Sequence, residues 1–225
     1  NGGSNGTASV AASGGAGSYT YSWSPSGGTA ATATGLTAGA YTVTITDANN
    51  CTITKSFTIT QPTAITVPSS TQTNVACNGS ATGSASVIVT GGTGPYTYSW
   101  SPSGGTAATA TGLTAGIYTV TITDANSCTT TKSFTITQPP AITASTSQTN
   151  VSCNGGSNGT ASVAASGGAG SYTYSWSPSG GTAATATGLT AGAYTVTITD
   201  ANSCTTTKSF TITQPPAITA STSQT

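Results

Sequence analysis

Apolar and polar residues alternate along several short stretches of the chain, and the clearest stretch covers residues 35–49. Tyr41, Val43 and Ile45 occupy every second position there, and threonines fill the positions between them. Because successive side chains of a strand point to opposite faces, this alternation predicts a β-strand with one buried face and one solvated face. Glycines and an Asp-Ala-Asn tail bound the strand as turns.

Three other stretches in the first part of the chain alternate in the same way. They cover residues 7–13, 19–23 and 51–60. Trp23 in the second stretch and Phe57 in the third lie on the predicted inward faces. The Thr/Ala segment at 29–34 is interpreted as a connection. No segment has the helical period, and glycine and β-branched residues dominate, so the sequence predicts an all-β protein.

The run from Leu36 to Tyr41 places a tyrosine at the start of a strand, just after a glycine-containing corner. This order resembles the tyrosine corner of immunoglobulin-like sandwiches. We therefore predict tandem immunoglobulin-like β-sandwich repeats, of the kind found in PKD and fibronectin type III domains, in an extended array. The aromatic residues expected in their cores are Trp23, Trp100, Trp176, Tyr41, Tyr118 and Tyr194.

The chain consists of three copies of one sequence unit of about 76 residues. The three tryptophans are separated by 77 and 76 residues, and residues 1–49 are identical to residues 154–202. Boundaries at the Gln-Pro motifs give a repeat that lacks its first strand, two complete repeats, and the first strand of a following repeat. These domains are 1–62, 63–139, 140–215 and 216–225. Both ends cut through a domain, so we expect an internal section of a longer protein.

Charge is almost absent, since the chain has three Lys, three Asp and no Glu, Arg or His. The neutral balance argues against a nucleic-acid partner. No apolar run approaches the roughly 18 to 20 residues of a membrane span, so membrane insertion is not expected. With one Asp in each copy and no His, the sequence offers no acid–base pair, catalytic triad or metal cage. We therefore expect neither an enzyme nor a cofactor.

Five cysteines, two in each of the later copies and one in the first, are candidates for structural disulfides. They are Cys51, Cys77, Cys128, Cys153 and Cys204. Even usage in a chain without His favours disulfides over a metal site. Pairs within one copy, Cys77–Cys128 and Cys153–Cys204, are slightly favoured because most disulfides of small domains are internal. The alternative pairs Cys77 with Cys204 of the next copy. A sandwich places the end of its first strand and the start of its last strand at opposite ends, which argues against a bond between the two cysteines of one copy.

Three kinds of side chain allow two interpretations each. Asp47 with Asn49 suits an Asx turn and, less well, a calcium site. Lys55 is interpreted as a charged residue of an edge strand, where it prevents sheet-to-sheet aggregation. The alternative is an isopeptide cross-link from this lysine to an Asn or Asp. Tyr19 and Tyr21 suit core packing, because they share the parity of the nearby tryptophan, and also an exposed carbohydrate platform.

The motifs of each copy resemble the SprB repeat, which occurs in very large cell-surface proteins of gliding Bacteroidetes. The resemblance covers essentially the whole chain. In the middle copy the motifs are Cys77-Asn78-Gly79, Gly83, residues 91–100, Leu113 to Tyr118, Asp124-Ala125-Asn126, Cys128 and Gln138-Pro139.

The resemblance implies an extracellular protein of the bacterial cell surface, exported by the type IX secretion system and moved by the gliding machinery. The repeats would form the stalk of a filamentous adhesin that transmits traction, with neighbouring repeats as their partners. The alternative is a multivalent module in which each repeat has a weak site for polysaccharide or an abiotic surface. The family pattern implies no catalytic residues.

Overall fold

A computed structural model describes residues 2–224, and its regular elements are seventeen β-strands without a helix in that range. The first series is β1 (Gly6–Ser9), β2 (Thr20–Ser24), β3 (Thr32–Leu36), β4 (Gly39–Thr46) and β5 (Thr52–Ile59). The second is β6 (Thr66–Thr73), β7 (Gly83–Thr90), β8 (Thr97–Ser101), β9 (Thr109–Leu113), β10 (Gly116–Thr123) and β11 (Thr129–Ile136). The third is β12 (Thr143–Thr149), β13 (Gly159–Ser166), β14 (Thr173–Ser177), β15 (Thr185–Leu189), β16 (Gly192–Thr199) and β17 (Thr205–Ile212).

The strands of the last series form two antiparallel sheets, in the orders β12-β13-β15 and β14-β16-β17. The first, second and fourth strands thus share one sheet, and the third, fifth and sixth share the other. This is the strand division of an immunoglobulin-like sandwich. The middle series repeats it as β6-β7-β9 and β8-β10-β11. The predicted fold class, tandem immunoglobulin-like β-sandwich repeats, is confirmed.

By its contacts the chain divides into two compact units. The first comprises residues up to 68 together with 88–97 and 122–130, and it contains β1–β5 whole. The second comprises residues 69–87, 98–121 and those from 131 onward, and it contains β12–β17 whole. None of the described residues lies in a helix long and apolar enough to cross a membrane.

In the second unit the inward residues of both sheets form the core of the last copy. Val196 and Ile198 on β16 are fully buried, and Trp176 packs against Phe210 with ring centroids 5.3 Å apart. The Trp176 indole Nε1–H donates to the Ala183 carbonyl at 2.9 Å. The alternation of the sequence therefore corresponds to burial, because alternate positions of each strand face the opposite sheet.

In the first unit the same sandwich is thinner. The buried core holds Trp23, Tyr41 and Val43, while Phe57 and Ile59 are only partly buried. The sheet that contains β1 has two strands, β1 and β3. Among the described residues no third strand pairs with β1, so one edge of its backbone is not covered.

The tyrosine corner has the hydroxyl-to-backbone hydrogen bond that is typical of this motif. The Tyr194 hydroxyl lies 3.2 Å from the Thr190 hydroxyl and donates to the Thr190 carbonyl at 3.2 Å. Tyr41 makes the corresponding hydroxyl contact with Thr37 at 3.1 Å. The six aromatic residues expected in the cores are all buried: Trp23, Trp100, Trp176, Tyr41, Tyr118 and Tyr194.

One strand of each copy is absent from the sequence prediction. The segment interpreted as a connection contains β3, whose Ala33 and Leu36 are buried three positions apart. A register shift opposite Gly6 and Ala8, together with the positive φ of Gly35, breaks the two-residue period there. Residues 216–225 are predicted to be the first strand of a following repeat, and residues 216–224 lie outside any strand.

Candidate functional site

Two loops carry the cysteines of each copy, and the first, the start loop, lies between the first and second strands. In the last copy it comprises residues 150–156. Its Val151 is buried, and the Val151 amide donates to the Thr213 carbonyl at 2.9 Å. The Asn150 Oδ1 accepts from the Thr213 amide at 3.1 Å. The start loop is therefore fixed to the end of the last strand of its own copy.

The Gln-Pro motif holds the start loop at a second point. The Gly155 amide donates to the Gln214 Oε1 at 2.8 Å, and the Asn154 Nδ2 donates to the Pro215 carbonyl at 3.1 Å. The corresponding bonds in the middle copy measure 2.8 Å and 3.0 Å. Sequence analysis identifies this motif only as a domain boundary. In the structure its glutamine side chain also accepts a hydrogen bond from the start loop.

The second loop, the aspartate loop, comprises residues 200–204 between β16 and β17. The Asp200 Oδ1 accepts from the amides of Asn202 and Cys204, both at 2.9 Å, and its Oδ2 accepts from the Ala169 amide at 2.8 Å. The side chain is only 5% exposed. These bonds form an Asx turn, the interpretation that the sequence favours for the equivalent Asp47 and Asn49, and they hold the backbone of Cys204 in place.

The aspartate is held in its charged form. The Ala169 hydrogen bond is the main cause that lowers the pKa of Asp200, and burial opposes it. The hydrogen bonds from Cys204 and Asn202 lower the pKa further, because all three N–H groups stabilise the carboxylate. Within residues 2–224 no group of three or more Cys or Asp side chains is placed to hold a metal ion.

A disulfide joins the start loop of the middle copy to the aspartate loop of the last copy. Its members are Cys77 and Cys204, with Cα atoms 5.6 Å apart and a sequence separation of 127. Beside it the Asn202 Nδ2 donates to the Ala76 carbonyl at 3.0 Å. A covalent bond and a hydrogen bond thus connect consecutive copies at one point.

This pairing differs from the pairs within one copy that the sequence slightly favours. In the last copy the start loop with Cys153 lies at the end of β17, whereas Cys204 lies just before the start of β17. A strand of 8 residues spans about 26 Å at roughly 3.3 Å per residue. Disulfide Cα atoms lie within about 7 Å, so the length of β17 excludes a Cys153–Cys204 bond.

The other cysteines occupy the same two loops in their own copies. Cys51 and Cys128 end aspartate loops, and the amide of each donates to the Oδ1 of its loop aspartate, Asp47 or Asp124, at 2.9 Å. Cys153 lies in a start loop. Cys51 and Cys153 are exposed thiols, and Cys128 is half-buried. The middle and last copies therefore build both halves of the junction in the same way, and the first copy shows the aspartate-loop half.

The remaining candidates lie outside the junction. Lys55 is exposed on β5, an edge strand, opposite Val43 of β4. This position agrees with the edge-strand interpretation. Tyr19 and Tyr21 pack, half-buried, against the core of the first unit, as the core interpretation requires.

The arrangement is suited to holding copies together. The charged aspartate orders the loop that presents one cysteine, and the Gln-Pro segment orders the loop that presents the other. Because both loops are fixed by backbone hydrogen bonds, the two sulfur atoms meet with little loss of conformational freedom.

Comparison with known proteins gives one family match. A family model described as the SprB repeat matches residues 1–28, 69–105 and 145–181. No curated protein matches the chain.

Several solved structures are similar to the chain at low identity. The three N-terminal domains of the bacteriophage RB49 highly immunogenic outer capsid protein match with a TM-score of 0.42 at 14% identity, covering 96% of this chain and 95% of that one. The N-terminal eight Ig domains of Down syndrome cell adhesion molecule match with a TM-score of 0.41 at 10% identity, covering 88% and 33%. Domains 1–6 of surface layer protein SbsC match with a TM-score of 0.30 at 15% identity, covering 88% and 35%.

Proposed function

Because a family model described as the SprB repeat matches three segments of the chain, we propose that the chain is a structural segment of an extracellular stalk, which acts as a spacer and transmits tension. The observation that supports this most directly is the Cys77–Cys204 bond between consecutive copies. A disulfide also suits an oxidising, extracellular environment.

The disulfide provides a second covalent path past the segment that links two copies. Without it, tension between the middle and last copies passes only through residues 137–142. With it, tension also passes from the start loop through Cys77 to the aspartate loop of the next copy. The chain between the two cysteines, whose sequence separation is 127, is therefore protected from extension until the disulfide breaks.

We propose further that the parent protein is the mobile gliding adhesin SprB of Bacteroidetes or a close relative. Its export by the type IX secretion system, its movement by the gliding machinery and its place on the bacterial surface belong to this proposal. A non-catalytic role belongs to it as well. The resemblance of the repeat motifs supports it, together with a composition of three Asp and no His or Glu.

Single-molecule pulling from both ends tests the stalk function. We expect the oxidised chain to withhold the residues between Cys77 and Cys204 from extension. The Cys77→Ser/Cys204→Ser double variant should extend about 460 Å further, at roughly 3.6 Å per released residue. Cys51→Ser is the matched control and should behave as the unmodified chain. Equal contour lengths for the oxidised chain and the double variant would contradict the mechanical role of the disulfide.

A binding experiment separates the stalk from the multivalent module. The full chain is applied to immobilised polysaccharides and to glass, and the bound amount is measured against concentration. A stalk segment gives no saturable binding. Saturable binding that weakens when single repeats are disrupted would favour the module instead.

A further inference from the structure

The Cys77–Cys204 disulfide lies in the wall of a cleft within the second compact unit. The cleft has a volume of about 410 Å³, within the range of pockets that admit small molecules. Both cysteines are half-buried and line it, so a small solute in the cleft can contact the bond. Most of the other lining residues belong to the last copy, among them Ser203, Thr205 and Thr206. The cleft therefore approaches the disulfide from the side of Cys204.

The two sulfur atoms have different surroundings. The Cys204 Sγ lies 3.5 Å from the Ala76 carbonyl oxygen and 4.0 Å from the Asn202 carbonyl oxygen. The charged carboxylate of Asp200 accepts a hydrogen bond from the Cys204 amide at 2.9 Å, so it lies beside the same residue. Among the described residues, no hydrogen bond joins the Cys77 Sγ to an oxygen. Negative charge is therefore disfavoured on the Cys204 sulfur, because oxygen atoms surround it.

This difference decides which sulfur a thiolate attacks. In thiol–disulfide exchange the attacking, central and leaving sulfur atoms lie in line, and the negative charge is shared mainly by the two outer ones. Attack on Cys204 makes it the central atom and places the charge on the incoming thiol and on Cys77. Attack on Cys77 would instead leave a thiolate on Cys204, beside two carbonyl groups and a carboxylate. Attack on Cys204 is therefore the faster reaction, because Cys77 is the better leaving group.

The loops that carry the two cysteines are also held without the disulfide. The Asn78 Nδ2 donates to the Pro139 carbonyl at 3.0 Å, and the Gly168 amide donates to the Pro140 carbonyl at 2.9 Å. Two consecutive prolines of the linking segment are thus bonded to the start loop of the middle copy and to the last copy. The hydrogen bond from Asn202 to the start loop is a third contact. None of these bonds involves a sulfur atom, so they remain when the disulfide opens.

The two cysteines therefore stay close together after reduction. A short tether of this kind gives the two thiols an effective concentration in the millimolar range. When the protein is at a micromolar concentration, oxidation should thus restore the bond between Cys77 and Cys204 rather than form a bond between two molecules.

We propose that the cleft is a thiol-exchange site, in which a small thiol such as glutathione attacks the Cys204 Sγ and opens the junction reversibly. The incoming thiolate forms a bond to the Cys204 sulfur, the bond between the two cysteines breaks, and Cys77 leaves as a thiolate that takes a proton from water. A second small thiolate then attacks the sulfur of the bound small thiol. This step releases the Cys204 thiolate and an oxidised small-molecule disulfide, and excess oxidised glutathione reverses both steps.

This inference rests on the stalk function proposed above, because it makes the resistance of a junction to tension depend on the thiols around it. With the disulfide open, tension between the middle and last copies passes only through the linking segment. The exchange reaction itself does not require tension, so the two proposals can fail separately.

Differential labelling of the full chain locates the attacked sulfur. The thiols outside the disulfide are first blocked with N-ethylmaleimide, glutathione is added for a short time, and newly formed thiols are trapped with iodoacetamide. We expect peptide mapping to find glutathione on Cys204 and the acetamide label on Cys77, in an excess of about threefold or more over the reverse pattern. Equal amounts of the two patterns, or glutathione mainly on Cys77, would overturn the proposal.

Two matched pairs of variants test the physical causes. Asp200→Asn removes the charge beside Cys204 and should bring the two labelling patterns closer to equality. Asp124→Asn, the same change in the middle copy, should not. Thr205→Trp narrows the cleft at an exposed position and should slow the exchange severalfold, whereas Thr129→Trp, at the exposed counterpart in the middle copy, should leave the rate unchanged. Equal effects within either pair would contradict the site.

Reoxidation tests whether the junction closes again. The reduced chain, with its other thiols blocked, is treated with oxidised glutathione at a micromolar protein concentration. Peptide mapping and sedimentation should then find Cys77 bonded to Cys204 within a monomer. Disulfide-linked dimers as the main product would show that the loops separate on reduction, and would reject the reversible junction.

Pulling on the chain separates this inference from the stalk function. Added glutathione should release the residues between Cys77 and Cys204 at a rate that rises with its concentration, and Thr205→Trp should slow that release. An oxidised chain that withholds these residues equally with and without glutathione would reject the exchange site and leave the stalk function standing. An oxidised chain that withholds nothing would reject the stalk function, while the labelling pattern still decides the exchange site.

Discussion

The first and last copies share residues 1–49 and 154–202 without a single difference, yet their structures differ. The sequence GTASVAAS forms a strand of 8 residues as β13, and only its first 4 residues form β1. β13 has β12 beside it, and β1 has no such neighbour among the described residues. The length of this strand is therefore determined by its partner, because its backbone groups need acceptors and donors from a neighbouring strand.

Core residues are also more buried in the last copy than in the first. Val163 is 5% exposed, whereas its counterpart Val10 is half-buried. Phe210 and Asp200 are both 5% exposed, and their counterparts Phe57 and Asp47 are half-buried. Since the side chains and their local sequence are nearly the same, the difference shows how much of one repeat's core is covered by the strand that follows the Gln-Pro motif.

The largest expected effect comes from the Cys77–Cys204 bond, which joins the last copy to the middle copy and does not involve the first. The Cys77→Ser/Cys204→Ser double variant should lose about 4–5 kcal/mol in free energy of unfolding, because the disulfide closes a long loop of the unfolded chain. Cys51→Ser, in the first copy, should leave the stability of the monomer unchanged. Urea denaturation followed by tryptophan fluorescence measures both. A comparable loss in the two variants would mean that the disulfide is not the source of the difference.

The second-largest effect is expected from replacing the core phenylalanines, which should cost different amounts of stability in the two copies. Phe210→Ala should cost about 3–5 kcal/mol, as for a buried aromatic residue. Phe57→Ala should cost about half as much, since half-buried Phe57 loses less apolar contact. Hydrogen exchange of the β5 and β17 peptides, which differ in sequence at Ile53 and Thr206, reports each copy separately. Equal costs would show that the missing strand does not weaken the first core.

Supplying the missing strand should remove the difference. A chain extended at its amino end by a copy of residues 140–152 followed by Ser should stabilise the first copy by about 1.5–3 kcal/mol, from burial of the added counterpart of Val151. The amides of β5 should then exchange about as slowly as those of β17. A control extension with Asp in place of that valine should not have this effect. If both extensions act alike, the core argument fails.

The two-residue period was sufficient to predict most strands and the buried aromatic residues, because a sandwich strand buries alternate positions. It did not predict β3, where a bulge at Gly35 separates Ala33 from Leu36 by three positions. It also could not distinguish β1 from β13, since the partner strand lies outside their shared sequence. The disulfide partner depends on which ends of the strands meet, and spacing alone left both pairings open.

The smallest expected effect concerns the aspartate loops, which the two copies share. The pKa of Asp200 is lowered chiefly by the hydrogen bond from Ala169, and the pKa of Asp47 is lowered chiefly by that from Ala16. A lowered pKa means stabilisation that is fully present above the ordinary value of 3.8 and lost as the pH falls through the lower value of the folded state. The chain should therefore lose stability as the pH falls below about 4.

The chain offers a sharp control for this dependence, because its three aspartates are its only acidic side chains and it has no histidine. The triple variant Asp47→Asn/Asp124→Asn/Asp200→Asn should be nearly insensitive to pH in this range, as measured by urea denaturation at each pH. At neutral pH, Asp200→Asn should cost more stability than Asp47→Asn, because Asp200 is the more buried carboxylate. If the triple variant still loses stability in acid, the aspartates are not the source of the pH dependence. If the two single variants lose the same free energy of unfolding, the burial of the carboxylate does not determine its contribution.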